Sequence, residues 1–237
     1  MATNLATLRS QIDDLDRQLL ELLNQRARVA QEVGGFKRAE GAPVFRPERE
    51  AQVIAQLRSK NAGPLKSESI NAIWLEVMSA CRSLEAPQRV AFLGPIGTFS
   101  EEAALRFFGS SIERVPCPNS DEVFRATASG GADFGVVPVE NSTEGVVARS
   151  LDLFLGTPLH IVGETSLAVR HNLLRQSASL AGIQAVIAHP QALAQCGLAE
   201  CQSSPGRTAG CIKQCRGRAS GQHQRGLGRH CQRARWR

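Results

Sequence analysis

No stretch of this sequence is apolar for long enough to cross a bilayer, which takes about 20 residues, so no membrane partner is expected. The amino terminus mixes charges into an amphipathic pattern and lacks the basic-then-apolar order of a secretory signal. Without an export signal, a cytoplasmic location is expected and the seven cysteines should stay reduced. Cys-x-x-Cys pairs are missing, which argues against structural zinc, since those sites favour tight ligand spacing. Acidic residues are scarce in one place only. Residues 197–237 hold nine Lys/Arg and one acid, a local charge of +8, so the other 196 residues sum to −2 within the net +6. The basicity belongs to the tail, and a nucleic-acid partner is not expected of the rest. Four of the cysteines lie in that tail, and the character of the chain changes near Cys196.

What is present begins with a helix. Leu5, Leu8, Ile12, Leu15, Leu19 and Leu22 recur at steps of three and four, and Val29 and Val33 continue the stripe. One helix is expected over about residues 4–34, long enough to call for a partner helix along its length. Arg26 falls on the apolar stripe, where a guanidinium needs a counter-charge or a route to water. By itself it reads either as a snorkelling stem or as an anion ligand. Lys37 shares its phase roughly 16 Å further along the axis, so the two long side chains can close on one small anion. Arg9 is roughly 25 Å from Arg26; if all three serve one site, Arg9 comes from a second chain. Pro47 suits a first helical turn and Glu48 and Glu50 its positive end, with Val53, Ile54 and Leu57 facing a core. A third helix follows Ser67, with Ile70, Ile73, Trp74, Val77, Cys81 and Leu84 on its stripe and Glu85 beside it, and stops at Ala86-Pro87.

After Pro87 the period changes. Val90-Ala91-Phe92-Leu93 reads as a buried strand entering the turn Gly94-Pro95-Ile96-Gly97. Thr98 and Glu101 form a capping box that opens a helix through Phe107, and such a turn can offer free amides to an anion. Phe134 to Val139 reads as a second buried strand, ending at Glu140-Asn141-Ser142, where a ligand crevice or an ordinary turn would fit equally.

The run Leu8-Arg9, Asp13-x-x-Asp16, Gln25-Arg26, Val33-Gly34, Lys37 and Pro43-Val44-Phe45-Arg46-Pro47-Glu48-Arg49-Glu50 resembles the all-helical chorismate mutases. That resemblance implies a three-helix, all-α domain in an intertwined dimer, converting chorismate to prephenate by a pericyclic shift without cofactor or metal. It implies carboxylate clamps from Arg26 and the partner's Arg9, a Lys37 donor to the ether oxygen, and Glu50, supported by Arg49, on the substrate hydroxyl. Glu85 stands where relatives carry Gln or Glu donating to the same ether oxygen. A carboxylate cannot donate, so faster turnover under mildly acidic conditions is expected. Arg46 and Cys81 stand where some relatives carry an acid and Ser.

Gly94-Pro95-x-Gly97-Thr98-Phe99-Ser100, Val137-Pro138-Val139-Glu140-Asn141-Ser142-x-Glu144-Gly145 and His189-Pro190-Gln191-Ala192-Leu193-x-Gln195-Cys196 resemble the prephenate dehydratases, in the family's order. Ala188 departs from the usual Ser. The combination is similar to the bifunctional enzymes of phenylalanine synthesis. It implies an α/β fold like periplasmic binding proteins, with Thr98, Ser100, Glu140, Asn141 and Gln195 at a cleft that turns prephenate into phenylpyruvate. The Thr-Arg-Phe motif that carries the family's principal catalytic threonine is not found. The expected organisation is a mutase domain over 1–87, a partial, inactive dehydratase domain over 88–196, and a disordered tail over 197–237.

The tail has two readings. Cys196, Cys201, Cys211, Cys215, His223, His230 and Cys231 are candidate metal ligands. Alternatively the tail is out of frame: residues 211–217 can be encoded by synonymous codons that, read one base later, give Val-Ser-Ser-Asn-Ala-Glu, a run typical of dehydratases. Residues 197–199 and 229–232 can be encoded so that they shift likewise into familial sequence, and a frameshift is the expected origin of the tail. Two other classes of function set against the enzyme are a non-catalytic binder of aromatic ligands and a nucleic-acid binder acting through the tail.

Overall fold

The structure is a computed structural model, describing residues 4–142, 145–174, 185–187, 192 and 227–230. Three helices come first: α1 (Leu5–Ala39), α2 (Pro47–Lys60) and α3 (Ser67–Glu85). Asn4 caps α1 by accepting from the Thr7 amide at 2.8 Å. The helix runs past the expected end near Gly34. Gly34 and Gly35 each cost the helix only about 1 kcal/mol, and the last turn is held from outside, where Arg38 Nη1 donates to the Glu85 carbonyl at 2.6 Å. Gly34 is the one buried residue of α1. A Cβ there would stand 2.8 Å from Glu85 Cγ, so glycine is what lets α1 and α3 approach.

The stripe that sequence periodicity places on α1 is exposed in the single chain. Leu15 and Leu19 are 56% and 55% accessible, and Leu5, Leu8, Ile12 and Leu22 are likewise exposed. On α3 the buried face is Ile70, Met78, Ser79, Cys81 and Arg82, whereas Ile73 and Leu84 of the expected stripe are exposed. The face is rotated because α3 packs on two sides, against α1 and against the α/β region.

That region holds a three-stranded parallel sheet in the order β2 (Glu113–Cys117), β1 (Arg89–Leu93), β3 (Phe134–Val136). Helices α4 (Phe99–Phe108) and α5 (Ser120–Ala128) fall between successive strands. The central strand is buried on both faces, as its unbroken apolar run requires. Val90 and Phe92 join Ala104 and Phe108, while Ala91 joins Cys117, Val123 and Ala132. The strand expected through Val139 stops at Val136, and Val139 is exposed. Beyond it the chain leaves the parallel ladder for a small antiparallel pair, β4 (Glu140–Asn141) with β5 (Gly145–Val146), followed by α6 (Ala148–Leu155).

Phe45, from the loop between α1 and α2, lies in the α/β core. It is 6% accessible, and its ring centroid is 5.0 Å from that of Phe108 and 5.3 Å from that of Phe134. The helical region therefore does not keep its core to itself. A last sheet orders β6 (Leu173–Leu174), β8 (Leu227–His230) and β7 (Ala185–Ile187). Four residues of the expected disordered tail thus form a strand, a departure that backbone pairing permits because ladder bonds need no particular side chains. The rest of the tail, including its candidate metal ligands other than His230, lies outside the described residues, as does the 188–196 motif apart from Ala192.

Candidate active site

Two cations on α1 meet the carboxyl-terminal turns of α3. Arg26 Nη1 donates to Cys81 Sγ at 3.0 Å. Lys37 Nζ donates to Val44 O at 3.2 Å and lies 3.4 Å from Glu85 Oε2. Arg26 and Lys37 are roughly 16 Å apart along their axis, yet Cys81 and Glu85 are one turn apart, roughly 6 Å. The arginine and the lysine must therefore lean toward one another. Both are half-buried, and the Glu85 side chain is 8% accessible. Lys37 and Glu85 form an ion pair across the two helices, and Arg26 adds a second cation whose hydrogen-bond partner is a thiol instead of a carboxylate.

Glu50, on the first turn of α2, is half-buried and accepts from the buried Arg82 of α3. Arg49 and Arg46 are exposed at the same end of α2, and Arg46 is its N-cap residue without a side-chain cap bond. Arg9 is exposed near the start of α1, far from this cluster along the same helix. The single chain thus assembles Arg26, Lys37, Cys81 and Glu85, with Glu50 held from α3, and leaves Arg9 apart. Sequence reasoning missed Arg82. Its signal was faint: a cation next to Cys81 and four residues after Met78, on the edge of an apolar stripe.

In the α/β region, parallel pairing puts the carboxyl ends of β1 and β3 side by side. The turn that carries Thr98 and Ser100 and the segment leading to Glu140 and Asn141 start from those adjacent ends, the usual place for a ligand crevice. Thr98 caps α4, accepting from the Glu101 amide at 3.4 Å and donating to Leu93 O at 2.9 Å. The amides of the glycine turn are less available than expected. The Gly94 amide donates to Cys117 O at 2.8 Å, and the Gly97 amide donates to the buried Glu101 carboxylate. Glu101 also accepts from Arg114 at 2.9 Å, so the Gly97 amide is satisfied within the chain by a paired carboxylate. Ser100 is half-buried, Glu140 exposed and Asn141 half-buried; Gln195 and Glu144 lie outside the described residues.

Titration is perturbed at the periphery. Arg149, donating to Asp121, holds that carboxyl below its usual range, and Arg125 does the same to Glu122. Burial pushes the Cys117 thiol up. Among the described residues no three His, Cys, Asp or Glu side chains gather as a metal site, and no helix is long and apolar enough to cross a membrane.

Two family models match the chain: chorismate mutase type II over residues 8–86 and prephenate dehydratase over residues 90–199. A bifunctional chorismate mutase/prephenate dehydratase from Stutzerimonas stutzeri is 47% identical over 82% of this chain and 55% of its own length. Its counterpart in Pseudomonas aeruginosa is 48% identical over 81% of this chain and 54% of its own. A solved chorismate mutase from Thermus thermophilus is 35% identical, covering 34% of this chain and 91% of its own, with a TM-score of 0.33. The chain spans about half the length of the curated relatives it matches. By the two matched regions and these relatives, the chain belongs to the bifunctional chorismate mutase/prephenate dehydratase family.

Proposed function

We propose that the helical region, residues 1–87, is a chorismate mutase that works as a homodimer in the cytoplasm. The observation that carries this reading is the convergence of Arg26 and Lys37 from α1 on the Cys81–Glu85 turn of α3. In the rearrangement an ether C–O bond breaks while a C–C bond forms, with no net proton transfer and no covalent intermediate. The protein's task is to fold a flexible diacid into the reactive pose and to stabilise negative charge on the ether oxygen. Arg26 grips one carboxylate, and the partner's Arg9 grips the other. Lys37 donates to the ether oxygen, Glu50 accepts from the ring hydroxyl, and Arg49 supports the binding. Arg46 and Cys81 border the pocket. The exposed leucine ladder of α1 supports the dimer, because a continuous apolar face of that length calls for a helix to cover it.

Glu85 works with Lys37. Protonated, it donates to the ether oxygen; ionised, it pairs with the ammonium instead. Glu85→Gln, whose amide can donate where a carboxylate cannot, is therefore expected to raise chorismate turnover, and an unchanged rate would remove Glu85 from the mechanism.

For residues 88–196 we propose a dehydratase part that retains Thr98, Ser100, Glu140, Asn141 and Gln195 but no longer converts prephenate to phenylpyruvate by loss of carbon dioxide and the ring hydroxyl. The family match ending at residue 199 supports a change of reading frame close after Cys196. Two rates measured on the purified chain test both readings. Chorismate loss without phenylpyruvate formation is expected. Phenylpyruvate from added prephenate would mean that the dehydratase works without the missing motif, and no loss of chorismate would remove the mutase assignment.

A further inference from the structure

Arg82 belongs to none of the family positions read from the sequence, yet it is the most enclosed cation described, at 4% accessibility. A guanidinium taken from water must be paired on all sides, and its partners come from three elements. Nη1 donates to the Glu50 carboxylate on α2, and Nη2 donates to the Phe108 carbonyl at the end of α4. The guanidinium carbon lies 4.6 Å from the centroid of the Phe45 ring, within reach of a cation–π contact. The Phe108 carbonyl is among the last of its helix, where partners are lacking and the dipole is negative, a place suited to a cation.

The contact with the α/β region extends beyond one bond. The Ser110 amide donates to Glu76 at 3.2 Å and the Ser111 amide to Ser79 Oγ at 3.1 Å. Gly109, at φ +79°, sits against Ser79 where a Cβ would collide with the serine side chain. Phe45, buried among the α/β rings, immediately precedes the α2 end that carries Arg46, Arg49 and Glu50. Both the ring beneath Arg82 and the carbonyl beyond it are fixed by the α/β region.

We propose that Arg82 is a positioning residue of the mutase pocket, acting through Glu50, and that it makes the orientation of that carboxylate depend on the end of α4. The α/β region then serves the mutase whether or not it has chemistry of its own. The inference rests on the mutase reading of Glu50.

A double-mutant cycle on the full chain tests it, with Arg82→Met, which keeps the stem over Phe45, Glu50→Gln, and the pair. If Arg82 acts through Glu50, R82M lowers kcat/KM for chorismate about ten-fold alone and adds nothing in the E50Q background. Arg82→Lys, keeping the charge, recovers part of the loss. Losses that multiply in the double variant would overturn the proposal and leave Arg82 a structural residue. Amide exchange supplies a second reading should R82M fail to fold: E50Q alone should speed exchange at Gly109, Ser110 and Ser111 at least about three-fold, as the strut loosens. Unchanged exchange there would also overturn it. Absence of chorismate turnover in the unaltered chain would instead sink the mutase reading, with the exchange measurement still deciding whether Glu50 and α4 are linked.

Discussion

The two regions of this molecule bury apolar surface in opposite ways. In the α/β region the central strand β1 is covered on both faces by its own neighbours, and Val90, Ala91 and Phe92 are inaccessible. In the helical region the longest element, α1, has no buried side chain along its 35 residues, and its leucines lie open. A strand between two others has its hydrophobic partners supplied within about 50 residues of chain. A helix about 52 Å long exceeds what two shorter helices can cover. The lesson is that the α/β core is closed within the chain, while the helical region leaves an apolar face open, which the proposed dimer would cover and through which Arg9 would reach the proposed pocket.

The largest effect expected comes from breaking the open face. Leu15→Asp with Leu19→Asp should turn a dimer into a monomer by sedimentation and abolish chorismate turnover, leaving amide protection of β1 intact. A turnover-competent monomer would end the comparison, since Arg9 would then be dispensable.

Phe45→Ala attacks the place where the regions share a core. Removing a buried ring costs about 3–5 kcal/mol, and urea unfolding followed by Trp74 fluorescence and by exchange at β1 should show both regions weakened together. Loss confined to β1 would show that the helices stand alone.

Within the pocket, Lys37→Ala is expected to lower kcat by about 10²–10³-fold, with the dimer and the β1 protection unchanged. That outcome separates chemistry from packing. A change mainly in KM would make Lys37 a binding residue only.

The smallest effect belongs to the surface of the α/β region. Arg149 lowers the Asp121 carboxyl, so this pair adds stability above the usual carboxylate pKa of about 3.9 and loses it as pH falls through the lower folded value. Both groups are solvent-exposed, and Asp121→Asn should shift the acid unfolding midpoint only slightly, with no change in mutase rate. A large shift would mean that the α5–α6 contact is more strongly organised by charge than its exposure implies.

Much of the fold was legible before any coordinates. The three- and four-residue steps of leucine dictated α1, Pro47 dictated the start of α2, and Thr98 with Glu101 dictated the start of α4. Gly34 reads in sequence as an ending yet lies inside α1, because a glycine that breaks a helix and a glycine that admits a neighbour look the same in one dimension. The Phe134–Val139 run leaves the parallel ladder after Val136, and the Val139 carbonyl instead accepts from the Val147 amide beside the β4–β5 pair.

Of the candidate site, the sequence by itself determined which charges share one face of α1. Arg26 on an apolar stripe and Lys37 at the same phase can close on one small anion, and Arg9, too far away along the same helix, joins that site only if it comes from a second chain. Only the tertiary structure decided what holds them. Arg82, Phe45 and Phe108 are distant in sequence, and none has a local pattern that announces its partner. Periodicity reports which face of an element is apolar; which neighbour covers that face, and which buried charge the neighbour brings, depends on contacts between elements that no short window of sequence contains.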